Sequence, residues 1–196
     1  MSPTRKFVLV RHGRTDYNAR HTLNGDPAVP VRLDETGRAQ VEALRATLAG
    51  RAFDLAVHTR FGRTVQTLDL LLAGRDVRRV ECPDLDDVAV GEFEGTPAGE
   101  YRTWRRAHPQ DARPRGGESR MDALVRYVRG FERLIASSAA APLVVTHDIP
   151  IRFVANALSG DDPLDGPVTA IANASPLVVP EPDLRRAIGV MRARVS

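Results

Sequence analysis

Three short apolar runs in this 196-residue chain end in clusters of cationic and titratable side chains. Phe7-Val-Leu-Val10 is followed by Arg11-His12-Gly13-Arg14-Thr15, Leu55-Ala-Val57 by His58-Thr59-Arg60-Phe61-Gly62-Arg63, and Leu143-Val-Val145 by Thr146-His147-Asp148. As adjacent parallel strands, the three runs would bring their clusters together beyond the carboxyl ends of a sheet, where open α/β sheets bind ligands. Two arginines and two histidines meeting at one point suit a compact, highly charged anion, and phosphate is the natural candidate. Phosphoryl transfer needs positive charge around the equatorial oxygens and an aligned nucleophile. Arginine supplies the first. A neutral histidine supplies the second when its non-attacking nitrogen is held in one tautomer by a hydrogen bond. Glycine after His12 lets backbone approach with no Cβ in the way.

The elements that must position these clusters alternate between strand-like and helix-like patterns, which argues for an α/β layer architecture. Residues 7–10 suit a buried central strand. Asp34 or Thr36 can cap a helix running to about Leu48 and closed by Gly50, with Val41, Leu44 and Leu48 on one face. Residues 55–57 read as a second strand, 63–72 as a helix ended by Gly74, and 79–82 as a weak third strand. The stretch 83–117 is rich in proline, glycine and charge, with one helix over 98–107, and reads as an insertion forming a lid over the sheet. A long helix over 119–137 presents Leu124, Val128, Phe131 and Ile135 on one face; a strand at 143–145 and a helix at 151–158 come next. Residues 177–179 and 187–191 read as two strands separated by a turn with Pro180 and Pro182, an antiparallel hairpin at a sheet edge through which two copies could pair as a homodimer. The expectation is a single domain over 1–196: a three-layer αβα sandwich with a central, mostly parallel mixed sheet and a small helical insertion or lid at about 83–118.

With 42% hydrophobic and 27% charged residues, the composition is that of a globular chain long enough to bury a core without staples. Cys82 is the sole cysteine, so no internal disulfide can form. No apolar run approaches the roughly 18 residues that span a bilayer, and residues 1–6 lead into a strand, not a signal peptide. A cytosolic location and no membrane partner are therefore expected. Net charge is +3, and Lys6 is the only lysine among 28 basic residues. Arginine grips phosphate bidentately, but spread over the whole chain it reads as a compositional habit; Arg11, Arg63 and Arg152 stand apart by position. Nucleic-acid binding is not expected, because no interleaved aromatic residues or recognition motif accompany the arginines.

The clusters sit inside longer motifs. Leu9-Val-Arg-His-Gly-Arg-Thr15 with Asn18 and Asn24-Gly25 resembles the opening motif of the histidine phosphatase superfamily, the phosphoglycerate mutase-like proteins. Arg63-Thr-Val-Gln-Thr67 resembles that family's second arginine motif, and Leu85-Asp-Asp-Val-Ala-Val-Gly-Glu-Phe-Glu-Gly95 its acid-bearing loop. Gly117-Glu-Ser119 with Asp122 and Arg126 resembles a segment near the substrate entrance, and Val145-Thr-His147 the segment carrying the second histidine. Five motifs in the family's order, spanning 7 to about 158, form a far stronger signal than any one. The resemblance implies that His12 is the phosphorylated nucleophile, that Arg11, Arg63 and His147 bind the phosphoryl group with Asn18 and Thr15 assisting, and that Asn24 and Gly25 belong to the substrate-binding set. Asp87, four residues before Gly91, stands where the mutase-like branch has a glutamate acid and would protonate the leaving oxygen and then deprotonate the attacking water. Two departures matter. The acid is an aspartate, one methylene shorter, and His147 is followed by Asp148, as in the acid phosphatase branch, where the aspartate donates the proton. Asp87 is preferred as the acid, with Asp148 at the substrate, because Gly91-Glu-Phe-Glu-Gly95 is mutase-like.

Blander readings exist for each residue. His12 could be a core histidine and Arg63 a surface helix residue, but their places at strand ends beside Gly13 and after Val57 favour phosphate. His12 and His147 could ligate a metal, yet no carboxylate-rich or His-x-His spacing supports this, so neither metal nor cofactor is expected. His58 reads as structural, His21 and His108 as exposed, and Asp161-Asp162 as a solvated turn. Phe93, Tyr101 and Trp104 either line a lid or simply pack a small helix. The expected function is a phosphatase acting on a small phosphorylated metabolite through a phosphohistidine; a phosphoglycerate mutase-type transfer and a non-catalytic phosphate-binding module are the alternatives.

Overall fold

The layering starts from β1 (Lys6–Arg11), in which Phe7, Val8, Leu9 and Val10 are all buried. Side chains alternate across a strand, so Phe7 and Leu9 enter one apolar core while Val8 and Val10 enter another. A strand buried on both faces needs helices on both faces. The computed structural model describes residues 4–195. After β1 come α1 (Asp16–Ala19), α2 (Glu35–Thr47), β2 (Leu55–His58), α3 (Gly62–Leu71), β3 (Arg78–Glu81), α4 (Ala98–Ala107), α5 (Arg120–Ala136), β4 (Pro142–Thr146), α6 (Asp148–Leu158), β5 (Pro176–Pro180) and α7 (Glu181–Ala193). Helices α5, α6 and α7 wall the core of Phe7 and Leu9; α2 and α3 wall that of Val8 and Val10. The result is the expected three-layer sandwich around a mostly parallel mixed sheet.

The strand order is β3-β2-β4-β1-β5, parallel except for β5, which runs antiparallel to β1. The carboxyl ends of β2, β4 and β1 therefore lie side by side. The register pairs Val10 with Val145 and Arg11 with Thr146, and the His12 amide extends the ladder by donating to the Thr146 carbonyl at 3.0 Å. Local signals agree with this arrangement. Asp34, not Thr36, caps α2 by accepting from the Gly37 amide at 2.7 Å, and Ser119 with Asp122 forms a capping box on α5, each worth about 1 kcal/mol. Gly74, at φ +78°, follows α3.

The C-terminal hairpin is not formed. Residues 187–191, read as a strand, lie inside α7. Leu184, Ala187, Ile188 and Met191 recur at helical spacing and are fully or nearly fully buried against α5 and α6. Pro182 sits in the first turn of α7, where a missing N–H removes no helical hydrogen bond. The pairing of two copies through a hairpin loses its basis. Likewise α6 begins at Asp148, three residues earlier than expected, because Pro150 also falls in a first turn. Within 83–117, two short 3₁₀ turns flank the acid-bearing stretch, and α4 stands where expected. Tyr101 and Trp104 stack at 5.9 Å with Phe93 against both, so these rings pack the small helix.

Candidate active site

Arg63 enters the site from the first turn of α3, just beyond β2, and is 3% exposed. Its planar fork of donors reaches four residues from four segments. Nε donates to His12 Nε2 at 3.1 Å, and Nη2 to His147 Nδ1 at 3.2 Å and Asp87 Oδ2 at 3.0 Å. Nη1 donates to the Asn24 side-chain oxygen and Nη2 to its carbonyl at 3.2 Å. The guanidinium lies over the Phe61 ring, 4.2 Å from its centroid. The ring centroids of His12 and His147 are 5.4 Å apart. The strand ends thus bring His12, Arg63 and His147 to one place, and two loops add Asn24 and Asp87.

The hydrogen bonds assign both tautomers. Nδ1 of His12 lies 2.8 Å from the Gly13 carbonyl, which can only accept, so Nδ1 carries the proton and Nε2 keeps its lone pair. His147 is the reverse: Nδ1 accepts from Arg63, so Nε2 carries the proton and donates to Thr59 Oγ1 at 2.9 Å. Thr59 in turn meets the Thr64 hydroxyl at 2.9 Å. Burial, reinforced by the charges of Arg63 and Arg11, holds His12 well below the ordinary histidine value, so the ring is neutral at pH 7. Burial and then Arg63 do the same to His147. Burial also depresses Arg63. Asp87 moves the opposite way: burial raises its carboxyl above the usual range although Arg63 pulls it down. The site therefore pairs a neutral imidazole lone pair with a carboxyl whose hold on a proton burial strengthens, the directions that suit a nucleophile and an acid.

Asp87 also faces a cavity of about 770 Å³ lined by Gly25, Asp26, Asp86, Glu94, Arg115 and Arg126 among others. The loop carrying Asp87 is tied down from α5. Arg126 donates to the carbonyls of Asp84 and Asp86 at 3.0 Å and of Asp87 at 3.2 Å, and pairs with Glu118 at 2.5 Å. Opposite, Glu94 accepts from the side-chain amide of Asn24 at 2.8 Å and the Gly25 amide at 2.6 Å. Gly25 is required there, since a Cβ would stand 2.2 Å from the Val88 carbonyl oxygen.

The other expected residues lie nearby with different engagements. Arg11 donates to the Ile171 carbonyl and lies 3.8 Å from Asp148, while its Nε is buried without a partner. Asp148 accepts the Ile171 amide at 2.6 Å and lies 3.4 Å from Arg152, so its carboxylate is held between two arginines. Thr15 caps α1 by accepting from the Asn18 amide at 3.1 Å, and Asn18 Oδ1 returns to the Thr15 amide at 3.2 Å. Gly13 does permit a close approach, but to protein: its Cβ would be 2.7 Å from the Gly37 carbonyl oxygen of α2. His58 bonds locally to the Thr59 carbonyl, and His21 and His108 are exposed. Among the described residues no group of three His, Cys, Asp or Glu side chains is placed to hold a metal ion.

Sequence reasoning missed Thr59, Thr67, Glu94 and Asn173 as parts of the site. Thr67 accepts from the Gly13 amide at 3.1 Å, and Asn173 donates to the His12 carbonyl at 3.0 Å. Thr59 and Thr67 lie in the strand-end cluster after Val57 and in the arginine motif of α3, yet a hydroxyl carries no periodic or charge signal. Asn173 lies 161 residues from its partner, beyond any local pattern.

The chain is similar to known proteins. The chain is 31% identical over 165 residues to a 2,3-bisphosphoglycerate-dependent phosphoglycerate mutase of Gloeobacter violaceus, covering 76% of this chain and 73% of the relative. It is 31% identical over 151 residues to the adenosylcobalamin/alpha-ribazole phosphatase of Salmonella typhimurium, covering 72% and 73%. The crystal structure of the alpha-ribazole phosphatase from Shigella flexneri has the same fold, with a TM-score of 0.78 at 22% identity over 88% of this chain and 89% of that one. A family model matches residues 7–186, from β1 into α7 and across every side chain that Arg63 joins, and it is that of branch 1 of the histidine phosphatase superfamily, to which this chain belongs.

Proposed function

We propose that the protein is a phosphatase that hydrolyses small-molecule phosphomonoesters through a phosphohistidine on His12. The observation that carries this reading is the Arg63 fork, which ties the lone-pair nitrogen of His12 to His147 and Asp87 within one cluster. In the first step Nε2 of His12 attacks phosphorus and the bond to the ester oxygen breaks. Asp87 gives that oxygen its proton, and the alcohol leaves. Arg63 and Arg11 supply donors to the phosphoryl oxygens, whose charge grows in the transition state; His147, whose one N–H is given to Thr59, joins them by taking a proton on Nδ1, which the anionic phosphoryl group favours. In the second step the Asp87 carboxylate takes a proton from water as the water oxygen attacks phosphorus. The P–N bond breaks, inorganic phosphate forms and the imidazole returns to its starting state.

Asp87 is favoured over Asp148 as the acid because burial biases it toward the protonated form, whereas Asp148 is engaged by Arg11, Arg152 and the Ile171 amide. Asn24 and Gly25 position Arg63 and the loop wall, and Thr15 and Asn18 shape the turn after His12. The segment 83–118 acts as the substrate-facing lid of a single domain. No metal step is needed, since the Arg63 guanidinium occupies the lone pairs of both imidazoles and its charge disfavours a further cation. The substrate is a soluble metabolite, and no helix of the structure is long and apolar enough to cross a membrane; the cytosol is the proposed location.

The test is phosphate release from a panel of phosphorylated metabolites in EDTA. Turnover is expected without priming by a bisphosphate, with rapid-quench label on His12. His12→Ala is expected to lose on the order of 10⁴-fold or more; normal turnover by that variant would falsify the reading, and turnover only after bisphosphate priming would favour the mutase.

A further inference from the structure

An anionic leaving group needs a cation free to meet it. Three arginines line the cavity beside Asp87, and each already faces a carboxylate: Arg126 with Glu118 at 2.5 Å, Arg60 with Asp86 at 2.5 Å and Arg115 with Glu92 at 3.7 Å. Arg126 is also held by four backbone carbonyls of the acid-bearing loop, so it cannot turn toward a ligand without undoing that loop. Two more acids on the wall, Asp26 and Glu94, form no ion pair among the described residues. Their oxygens accept from neutral backbone and amide N–H groups, Asp26 from Ala28 and Glu94 from Asn24, Gly25 and Asp26. The charge of Arg63 reaches Glu94 from within the phosphate site, where Asp87 already opposes it. Three cations against five acids, Asp87 aside, leave the cavity wall negative while the floor beyond it is built for phosphate.

The leaving oxygen must lie beside the acid that protonates it, so the alcohol part of the ester extends from Asp87 into this cavity. A volume of about 770 Å³ has room for a sugar- or nucleoside-sized group. We propose that the cavity selects phosphomonoesters of uncharged or cationic hydroxyl-rich alcohols and disfavours alcohols bearing a second phosphate or a carboxylate. The inference rests on the phosphatase reading of His12 and Asp87, and it deepens that reading by naming the substrate class. Carboxylate oxygens and backbone carbonyls on the wall accept hydrogen bonds from hydroxyl and amino groups; they repel a second anion as it approaches. Like-charge repulsion of this kind is screened by salt.

Glycerol 3-phosphate and 3-phosphoglycerate test the proposal, because they differ in charge on the leaving group and little in the reactivity of the ester. The wild-type protein is expected to give a kcat/KM about tenfold higher for glycerol 3-phosphate in low-salt buffer, a gap that narrows as ionic strength rises. The double variant Asp26→Asn/Glu92→Gln keeps each hydrogen-bond acceptor, removes two negative charges and releases Arg115; it is expected to close most of the gap. Equal or better use of 3-phosphoglycerate by the wild type overturns the proposal, as does a gap that neither salt nor the double variant changes. p-Nitrophenyl phosphate separates the two readings. If it is hydrolysed while the preference is absent, the charge selection alone falls. If it is not hydrolysed and no ester is, the phosphatase reading falls and takes this inference with it.

Discussion

Arg63 touches two kinds of structure. His12 and His147 hang from the ends of β1 and β4, where the ladder itself, through the His12 amide and the Thr146 carbonyl, fixes the backbone. Asn24 and Asp87 ride on irregular loops, held by side chains that reach across sequence: Glu94 to Gly25, and Arg126 to the carbonyls around Asp87. Regular hydrogen bonding positions the phosphate half, and individual side chains position the leaving-group half. A ladder tolerates the loss of one side chain; a loop held by one guanidinium does not. The half that must adapt to different alcohols is therefore the half that single substitutions can reshape without touching the sheet.

Asp87→Asn cuts at the junction of the two halves and is expected to have the largest effect after loss of the nucleophile itself. Hydrolysis of alkyl phosphates should fall on the order of 10²- to 10³-fold, while p-nitrophenyl phosphate, whose leaving group needs little protonation, should lose less than tenfold. Steady-state kinetics on the two esters decides; equal losses would move the acid role elsewhere.

Arg126→Met removes the guanidinium that ties the acid loop to α5. Leaving Glu118 and several carbonyls without their donor is expected to cost about 2–4 kcal/mol, seen as a lower urea midpoint and faster proteolysis within 83–118. Retained wild-type stability would show that the loop holds itself.

On the sheet side, Thr59→Val takes away the acceptor of the His147 Nε2 proton in a fully buried position. The expected loss is about tenfold in kcat/KM, restored by Thr59→Ser. A serine variant as slow as valine would mean that volume, not the hydroxyl, matters there.

The pH dependence tests the burial of the phosphate half without any substitution. Both histidines sit well below the ordinary value of 6.5 in the folded chain, so below that pH the unfolded chain takes up protons that the native one refuses. Stability is thus highest above pH 6.5 and is expected to fall by about 1.4 kcal/mol per pH unit for each histidine as the pH drops below it. Denaturation curves between pH 7.5 and 5.5 measure this, and a flat profile would place the rings in water.

The strand-end clusters were legible because buried parallel strands are unbroken apolar runs, and the residues directly after such a run must emerge at the sheet's carboxyl edge. That reasoning reached His12, Arg63 and His147. Asp87 came only from a motif resemblance, since nothing local marks an acid in a loop rich in acids. Residues 187–191 misled because five residues are too few to tell a strand from a buried helix; including Leu184 exposes the helical period.

From the chain alone came the strand-and-helix alternation, its two apolar faces and the types of side chain gathered at the site, because periodicity and strand-end position are local properties. Tertiary structure alone decided which nitrogen of each histidine carries the proton, that Arg63 joins all four partners, and that the cavity arginines are already matched by acids. The Gly13 carbonyl beside His12 is a local contact, but the partners of Arg63 lie 24 to 84 positions from it and Thr59 lies 88 from His147, and hydrogen-bond geometry at such separations is set by packing, not by neighbours in the chain.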